Sequence, residues 1–239
     1  MPGGVYAALS GMRARLEDLD RLASDLANVG TSGYKTERAA TAAAERPSFR
    51  AALDSAVDAT TGSTRVDFRP GTIGATGREL DVAIDGRGFF VVNTPAGERY
   101  TRNGAFSRRE DGVLTIADGS PVLGTSGEIK VGRGQITVSD DGTIKAGDVI
   151  AGKLRVVDFA NPADVQRESG VRFRAAAGVT PDDIPTRIVS GSLEQANVSM
   201  VDRMAALTDL TRSFEALQRG VSVLMNDIDG RAITELGKR

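Results

Sequence analysis

The side chains that could do chemistry in this chain are carboxylates, because its 239 residues include no His and no Cys. This composition removes the usual general base, the thiolate nucleophile and the commonest metal ligand. Adjacent carboxylates occur at Asp140-Asp141 and at Asp182-Asp183. The first pair precedes a glycine between two strand-like runs and indicates a hairpin turn, whereas the second lies between two prolines and indicates a solvated loop. We therefore predict that the protein is not an enzyme.

The patterns that resemble ligand sites are weak as well. A calcium loop that began at Asp140 would place Ala151 where a bidentate Glu is needed. Residues 86–88 lack the third glycine and the following helix of a dinucleotide site. Four arginines lie close together in the sequence: Arg99, Arg102, Arg108 and Arg109. We interpret them as solvated strand faces, because acidic residues bring the net charge to −2. The sequence thus predicts no metal, cofactor, nucleic acid or small-molecule substrate.

The elements that would position any site begin with a helix at each end of the chain. Near the N-terminus, apolar side chains recur at alternating steps of four and three residues, which is typical of a coiled-coil seam. These residues are Val5, Leu9, Met12, Leu16, Leu19, Ala23 and Leu26. The same repeat returns near the C-terminus in Leu207, Leu210, Phe214, Leu217, Val221, Leu224 and Ile228. We predict that these two seams form an assembly interface.

Between the helices the apolar pattern changes to a period of two, and turn signals such as Asn103-Gly104 recur. We predict a central antiparallel, mainly-β domain at residues 69–190 and a linker segment at 36–68. Residues 1–35 and 191–239 would form a discontinuous helical assembly domain. The predicted fold class is therefore α+β, with long N- and C-terminal helices that form a coiled-coil-like helical domain beside the β-domain.

Exposed seams favour self-assembly, because helices gain most of their stability from packing, and head-to-tail contacts that do not close generate helical filaments. The alternatives are a monomer whose helices dock on the β-domain, a glycan- or protein-binding β-module dimerised by its helices, and a carboxylate enzyme. No apolar run approaches the roughly 20 residues of a membrane span. The N-terminal stretch also lacks the regions of a secretory signal, so we expect any export to use another route.

Several motifs, in order, resemble those of the bacterial flagellar rod and hook proteins over nearly the whole chain. Residues 26–35 (LANVGTSGYK) are similar to the N-terminal signature of that family, which usually has Phe in place of Tyr34. Residues 77–90 (GRELDVAIDGRGFF) resemble the block that opens its β-domain, and residues 192–198 (SLEQANV) resemble its junction with the C-terminal helix. The most specific motif is residues 100–107 (YTRNGAFS). The motif positions are Asn28, Gly33, Tyr34, Tyr100, Arg102, Asn103, Gly104, Phe106 and Asn197.

The resemblance implies a structural subunit of the flagellar basal-body rod, which crosses the periplasm and carries torque from motor to hook. It implies contacts with other copies of the chain and with other rod proteins. It also implies passage through the flagellar type III export apparatus without a cleaved signal peptide, and Phe49 and Leu53 resemble the export signal of such substrates. Residues 5–12 and 226–232 are more similar to the proximal than to the distal rod proteins. The hook protein, with its larger inserted domain, is less similar.

Overall fold

The computed structural model of the chain describes residues 2–39 and 64–236, and it describes side chains over residues 11–38 and 64–223. The chain contains two compact units. We call one the helical unit, which contains the two α-helices, and the other the β unit, which comprises Asn28–Arg38 and Arg65–Val198. The predicted export signal, Phe49 and Leu53, and most of the predicted linker lie outside the described residues.

The helical unit contains helix α1 (Pro2–Ala27) and helix α2 (Met200–Leu236), which contact each other. Leu210 of α2 is buried, and Arg203 of α2 forms an ion pair with Asp25 of α1, with 3.2 Å between Nε and Oδ2. The end of α1 therefore lies against the beginning of α2. Neither helix, over the described residues, combines the length and the apolar character that a membrane span needs.

The predicted fold class is wrong. An α+β fold with a coiled-coil-like helical domain requires the heptad seam to be the buried face of each terminal helix. Over the described side chains of α1, the buried residues are instead Leu22 and Asp25, while Leu16, in the middle of the predicted seam, is 49% exposed. A heptad pattern shows which side chains lie on the same face of a helix. Which face is buried depends on the element that packs against the helix. Here the ion pair to Arg203 puts the face of Leu22 and Asp25 against α2. The described residues form one α-helix at each end and a mostly β centre.

The strands of the described residues are short and follow one another closely. In chain order they are β1 (Glu37–Ala39), β2 (Thr64–Val66), β3 (Ile73–Ala75), β4 (Val82–Asp85), β5 (Phe89–Thr94), β6 (Gly97–Thr101), β7 (Ser107–Arg108), β8 (Leu114–Thr115), β9 (Leu123–Gly124), β10 (Gly127–Glu128), β11 (Ile136–Val138), β12 (Thr143–Ala146), β13 (Val149–Lys153), β14 (Val156–Asp158), β15 (Val165–Ser169), β16 (Arg172–Ala175), β17 (Asp182–Asp183), β18 (Arg187–Ser190) and β19 (Ser192–Glu194). A short 3₁₀ helix, Pro162–Asp164, precedes β15.

The largest sheet is antiparallel and has the strand order β15-β16-β6-β5-β14-β17. A three-stranded sheet has the order β11-β12-β13. Each of the other strands pairs with one partner in a two-stranded sheet. Strand β4 pairs with β18, and β3 pairs with β19. Strands β4 and β5 follow each other in the chain but do not pair with each other, since β4 pairs with β18, near the end of the unit in the sequence. These long-range pairs bring the beginning and the end of the β unit together.

Strand β5 lies between two apolar cores. Phe90 and Val92 belong to one buried cluster, and Phe89 and Val91 belong to the other. Because successive side chains point to opposite faces of a strand, the continuous apolar run of β5 supplies both clusters in turn. Phe90 packs edge to face on Phe106, with 5.2 Å between ring centroids. The two cores give the β unit a rigid body on which the candidate site is built.

Candidate functional site

The candidate site is a buried polar junction inside the β unit, where three segments of the chain meet. The segments are residues 28–37, which follow α1, residues 102–106, and residues 192–197, which lead towards α2. We call this region the junction. It contains most of the motif residues on which the family resemblance depends, and its third segment includes β19, which pairs with β3.

A compact turn starts the junction. The backbone carbonyl of Asn28 accepts a hydrogen bond from the Thr31 amide at 2.9 Å, and the Asn28 side chain accepts one from the Thr31 hydroxyl at 3.3 Å. The turn ends at Gly33, which has a φ of 71° and donates its amide to the carbonyl of Glu194 at 2.7 Å. A Cβ at Gly33 would lie 2.3 Å from the amide nitrogen of Asn103. Only glycine fits at this crossing of the three segments.

A buried ionic cluster lies behind the turn. Lys35 Nζ is 2.5 Å from Glu194 Oε1, and Arg102 Nη1 donates to Glu194 Oε2 at 3.4 Å. The side chains of Lys35, Glu194 and Arg102 are only 0%, 1% and 3% exposed. Lys35 also donates to the carbonyl of Arg69 at 2.9 Å, and Glu194 Oε1 accepts the amide of Gly71 at 2.9 Å. One carboxylate therefore ties together three separate stretches of backbone.

The charges of this cluster do not balance. Two cations share the single carboxylate of Glu194, and burial lowers the pKa of Lys35 and the pKa of Arg102 against the opposing attraction of that carboxylate. Arg102 donates through Nη2 to the carbonyl of Gly86 at 2.8 Å, and its guanidinium lies 5.5 Å from the ring centroid of Phe89. Its buried Nε has no hydrogen-bond partner among the described residues. Because a buried charge is tolerated only when it is paired, Glu194 is the residue on which the cluster depends.

Asn197 makes a second, uncharged connection across the junction. Its Oδ1 accepts the amide of Thr36 at 2.8 Å, and its Nδ2 donates to the carbonyls of Asp67 at 2.7 Å and Arg69 at 3.2 Å. Its own amide donates to the carbonyl of Tyr34 at 3.3 Å. Asn197 therefore connects the residues just before β1 with those just after β2 and satisfies backbone groups of both.

Arg167, on β15, connects the junction to the large sheet. Its guanidinium lies 4.7 Å from the ring centroid of Tyr34 and 5.3 Å from that of Phe173. It also donates through Nε to Glu37 Oε1 at 2.6 Å and through Nη2 to the carbonyl of Lys35. The guanidinium of Arg167 thus covers the ring of the buried Tyr34.

The remaining motif residues hold the core of the β unit. Tyr100 packs edge to face on Phe159, with 4.9 Å between ring centroids. Asn103 Oδ1 accepts the amide of Ala105 at 3.0 Å and closes the local turn. A Cβ at Gly104 would lie 1.8 Å from the carbonyl oxygen of Val82, so this glycine marks a close backbone approach.

The residues of the predicted assembly interface lie on α1 and α2. Among those with described side chains, Leu16 and Ala23 are exposed and Leu210 is buried. The half-buried ones are Met12, Leu19, Leu26, Leu207, Phe214, Leu217 and Val221. The side chains of four others lie outside the described residues: Val5, Leu9, Leu224 and Ile228. Their role in assembly stays a prediction.

Sequence reasoning missed the centre of the site. Lys35 and Glu194 lie in motifs that carry the family resemblance, but a charged residue in a polar stretch gives no sign that it is buried. The interpretation of Arg102 as part of a solvated strand face is wrong, because this residue is buried in the ionic cluster. Asp183 lies on β17, where its Oδ1 accepts from Arg155 Nε at 2.7 Å. Within the described ranges, no group of three or more Asp and Glu side chains is placed to hold a metal ion.

Comparison with known proteins agrees with the motifs of the junction. The profile of the family described as "Flagellar hook protein FlgE/F/G D1 domain" matches residues 83–146, and that described as "Flagellar basal body rod FlgEFG protein C-terminal" matches residues 189–229. The chain is 35% identical to the flagellar basal-body rod protein FlgF of Salmonella typhimurium over 97% of each chain. It is 34% identical to FlgF of Escherichia coli, again over 97% of each chain.

A relative with a different name gives the same result. The flagellar basal-body rod protein FlgG of Bacillus subtilis is 31% identical, over 89% of this chain and 91% of the relative. These similarities extend over the helical unit and the β unit alike, and they agree with the motif order seen in the sequence. The chain therefore belongs to the family of flagellar basal-body rod proteins and is a structural subunit of the rod in the basal body of the flagellum.

Proposed function

We propose that this rod subunit assembles with other copies of itself and with other rod proteins through the outer faces of α1 and α2. The observation that supports this proposal is the apolar surface that both helices expose. Leu16 is 49% exposed on α1, and Met204 and Val223 are 53% and 67% exposed on α2. Large apolar side chains that remain in water on two long helices favour burial against another protein.

Assembly through such faces suits a part that carries torque across the periplasm. Each large aliphatic side chain that is fully covered contributes about 1.5–3 kcal/mol, so many modest contacts along two helices add up to a stiff joint. Contacts between different faces of successive subunits do not close on themselves and generate a helical filament. The proposal needs no catalytic step, and we propose that the chain has no enzymatic activity.

The position in the rod and the route of export are also part of the proposal. The resemblance of residues 5–12 and 226–232 to proximal rod proteins supports a place in the proximal rod. Phe49 and Leu53 support export through the flagellar type III apparatus without a cleaved signal peptide. The position in the rod is tested by imaging basal bodies of a deletion strain. The export route is tested by measuring secretion of a Phe49→Ala, Leu53→Ala variant.

Assembly itself is tested with Leu16→Asp in a strain that lacks the chromosomal copy. The substitution places a charge on the exposed apolar face without disturbing the buried face of α1, so we expect secreted protein at wild-type levels but no complete rods in electron micrographs. The matched control is Ala14→Asp, which adds the same charge at another exposed position two residues earlier. Complete rods and normal motility with Leu16→Asp would show that this face does not take part in assembly.

A further inference from the structure

We infer that Lys35, Arg102, Glu194 and Asn197 act as a clasp that holds the segment after α1 and the segment before α2 together as a pair. The inference deepens the proposed function and rests on it, because the clasp would position the two attachment points of the assembly helices. Its members are positioning residues: they lie inside the β unit and are buried or half-buried, so they act on assembly through the backbone that they hold.

Side chains and single backbone bonds, and no strand ladder, connect the two segments. Among the described strands, β1 pairs with β2 and β19 pairs with β3, so the segments take their strand partners elsewhere. What joins them directly is the Lys35–Glu194 ion pair, the amide of Gly33 on the carbonyl of Glu194, and the contacts of Asn197 with Tyr34 and Thr36. Loss of the side chains would leave the sheets of the β unit complete.

The clasp residues stand apart from the apolar cores. The two buried clusters that stabilise the β unit are built from strands such as β5, β14 and β16, and the clasp adds to them only the stacking of Arg102 on Phe89. Local opening at a polar site that borders a core requires less free energy than unfolding of the core itself. The junction is therefore able to open as a separate step.

Ionic contacts suit a positioning role better than apolar packing would. An apolar contact tolerates sliding, whereas a carboxylate that accepts from Lys35, Arg102 and the amide of Gly71 fixes distance and direction together. The segments are also short. Asn28 directly follows the last residue of α1, and Glu194 stands six residues before Met200, the first residue of α2. The clasp thus acts close to the points where both helices are attached.

The test uses the full chain with Asn197→Ala and with Glu194→Gln. Hydrogen exchange followed by peptide mass spectrometry reports on residues 29–36 and 192–199 for the junction and on β5 for the core. We expect at least about tenfold faster exchange at the junction, unchanged exchange at β5, and at least about tenfold fewer complete rods in a deletion strain. The matched control is Glu168→Gln, which removes the same charge from the solvent-exposed Arg99–Glu168 hydrogen bond in the same unit and should change neither readout.

Three results would overturn the inference. Wild-type exchange at the junction in both variants would show that these residues do not hold the segments, and faster exchange with a normal number of rods would show that the hold does not serve assembly. If Glu194→Gln also speeds exchange at β5, the outcome is decided by Asn197→Ala, because that variant changes no charge. Normal rods with Asn197→Ala would then overturn the inference. Failure of the proposed function is distinguishable: rods would then also form with Leu16→Asp, whereas failure of the clasp alone leaves Leu16→Asp defective.

Discussion

Lys35 and Glu194 are 159 residues apart in the sequence, yet Lys35 Nζ and Glu194 Oε1 lie 2.5 Å apart with almost no exposure to solvent. Every strand of the described residues, from β1 onward, lies between them, and the last one, β19, ends at Glu194 itself. The pair therefore closes the β unit at the point where the chain enters it and leaves it. Because Arg102 shares the same carboxylate, the charges of this closure are unequal, and the two partners should respond differently to substitution.

Substitution at Glu194 should cost far more than substitution at Lys35. Glu194→Gln removes the one carboxylate that contacts both buried cations directly, which by analogy with broken buried pairs costs about 3–5 kcal/mol of unfolding free energy. Lys35→Met leaves the Arg102–Glu194 pair neutral and keeps most of the volume, so we expect a loss of less than about half that amount. Urea denaturation followed by circular dichroism measures both, since the chain has no Trp to follow by fluorescence. Equal losses would contradict the charge imbalance.

Lys35 should also give the protein a distinctive response to alkaline pH. Burial lowers the pKa of Lys35 below its ordinary value of 10.5, so between the two pKa values the unfolded chain binds more protons than the folded one. The contribution of Lys35 to stability is therefore lost as pH falls through the lowered pKa and is complete above 10.5. We expect the unfolding free energy of the wild type, relative to Lys35→Met, to rise with pH as the pH approaches 10.5 from below. Burial raises the pKa of Tyr100, but this effect cancels in the comparison. A flat or falling difference would contradict the prediction.

Two nearby glycines, Gly30 and Gly33, should differ strongly in how well they tolerate alanine. At Gly33 the φ of 71° and the approach of the Asn103 amide to 2.3 Å leave no room for a Cβ, so Gly33→Ala should cost roughly 2–5 kcal/mol from backbone strain and steric overlap together. At Gly30 no atom lies within 4 Å of the corresponding position, so Gly30→Ala should change stability by less than about 1 kcal/mol. Thermal unfolding of the two variants compares them directly, and similar melting temperatures would show that the junction relaxes to admit a side chain.

The parts of the fold that could be predicted are those that local sequence decides. The run Phe89 to Val92 is apolar on both faces, and such a run indicates a central strand, which β5 is. Asn103-Gly104 indicates a turn, and its neighbours do turn there. In both cases the deciding interactions lie within a few residues, where side-chain period and glycine conformation are visible in the sequence.

The parts that could not be predicted depend on partners far away in the chain. The pairing of β4 with β18 has no local signal, and neither does the burial of Lys35 and Arg102, since charged residues are buried only where a distant partner meets them. The heptad spacing around Leu16 was visible, but the face of α1 that is covered depends on Arg203 of α2. Sequence periodicity predicts which side chains share one face of a helix. Tertiary structure determines whether that face is buried and by which element.

An exposed turn provides a local electrostatic test. Arg109 donates to both carboxylate oxygens of Asp111, and together with a hydrogen bond from the Val113 amide it lowers the pKa of Asp111 to about 2. Arg109→Gln removes the first and largest of these causes, so we expect the pKa of Asp111 to rise towards 3.8 while the Val113 bond holds it somewhat below. Carboxyl-carbon NMR titration measures the change. If the pKa of Asp111 stays at about 2 in Arg109→Gln, the lowering is due to the hydrogen bond from the Val113 amide instead.

The apolar core of β5 should be the least tolerant part of the β unit. Phe90 is fully buried and packs on Phe106, so Phe90→Ala removes an aromatic pair and leaves a cavity, at a cost of about 3–5 kcal/mol. The control is Ile150→Ala on the edge strand β13, where the side chain is 64% exposed and the change should stay within about 0.5 kcal/mol. Urea denaturation of both variants gives the difference. A small loss for Phe90→Ala would mean that the two cores on either side of β5 can repack around the missing ring. The β unit would then not be rigid, which would contradict the claim that the junction opens separately from the cores.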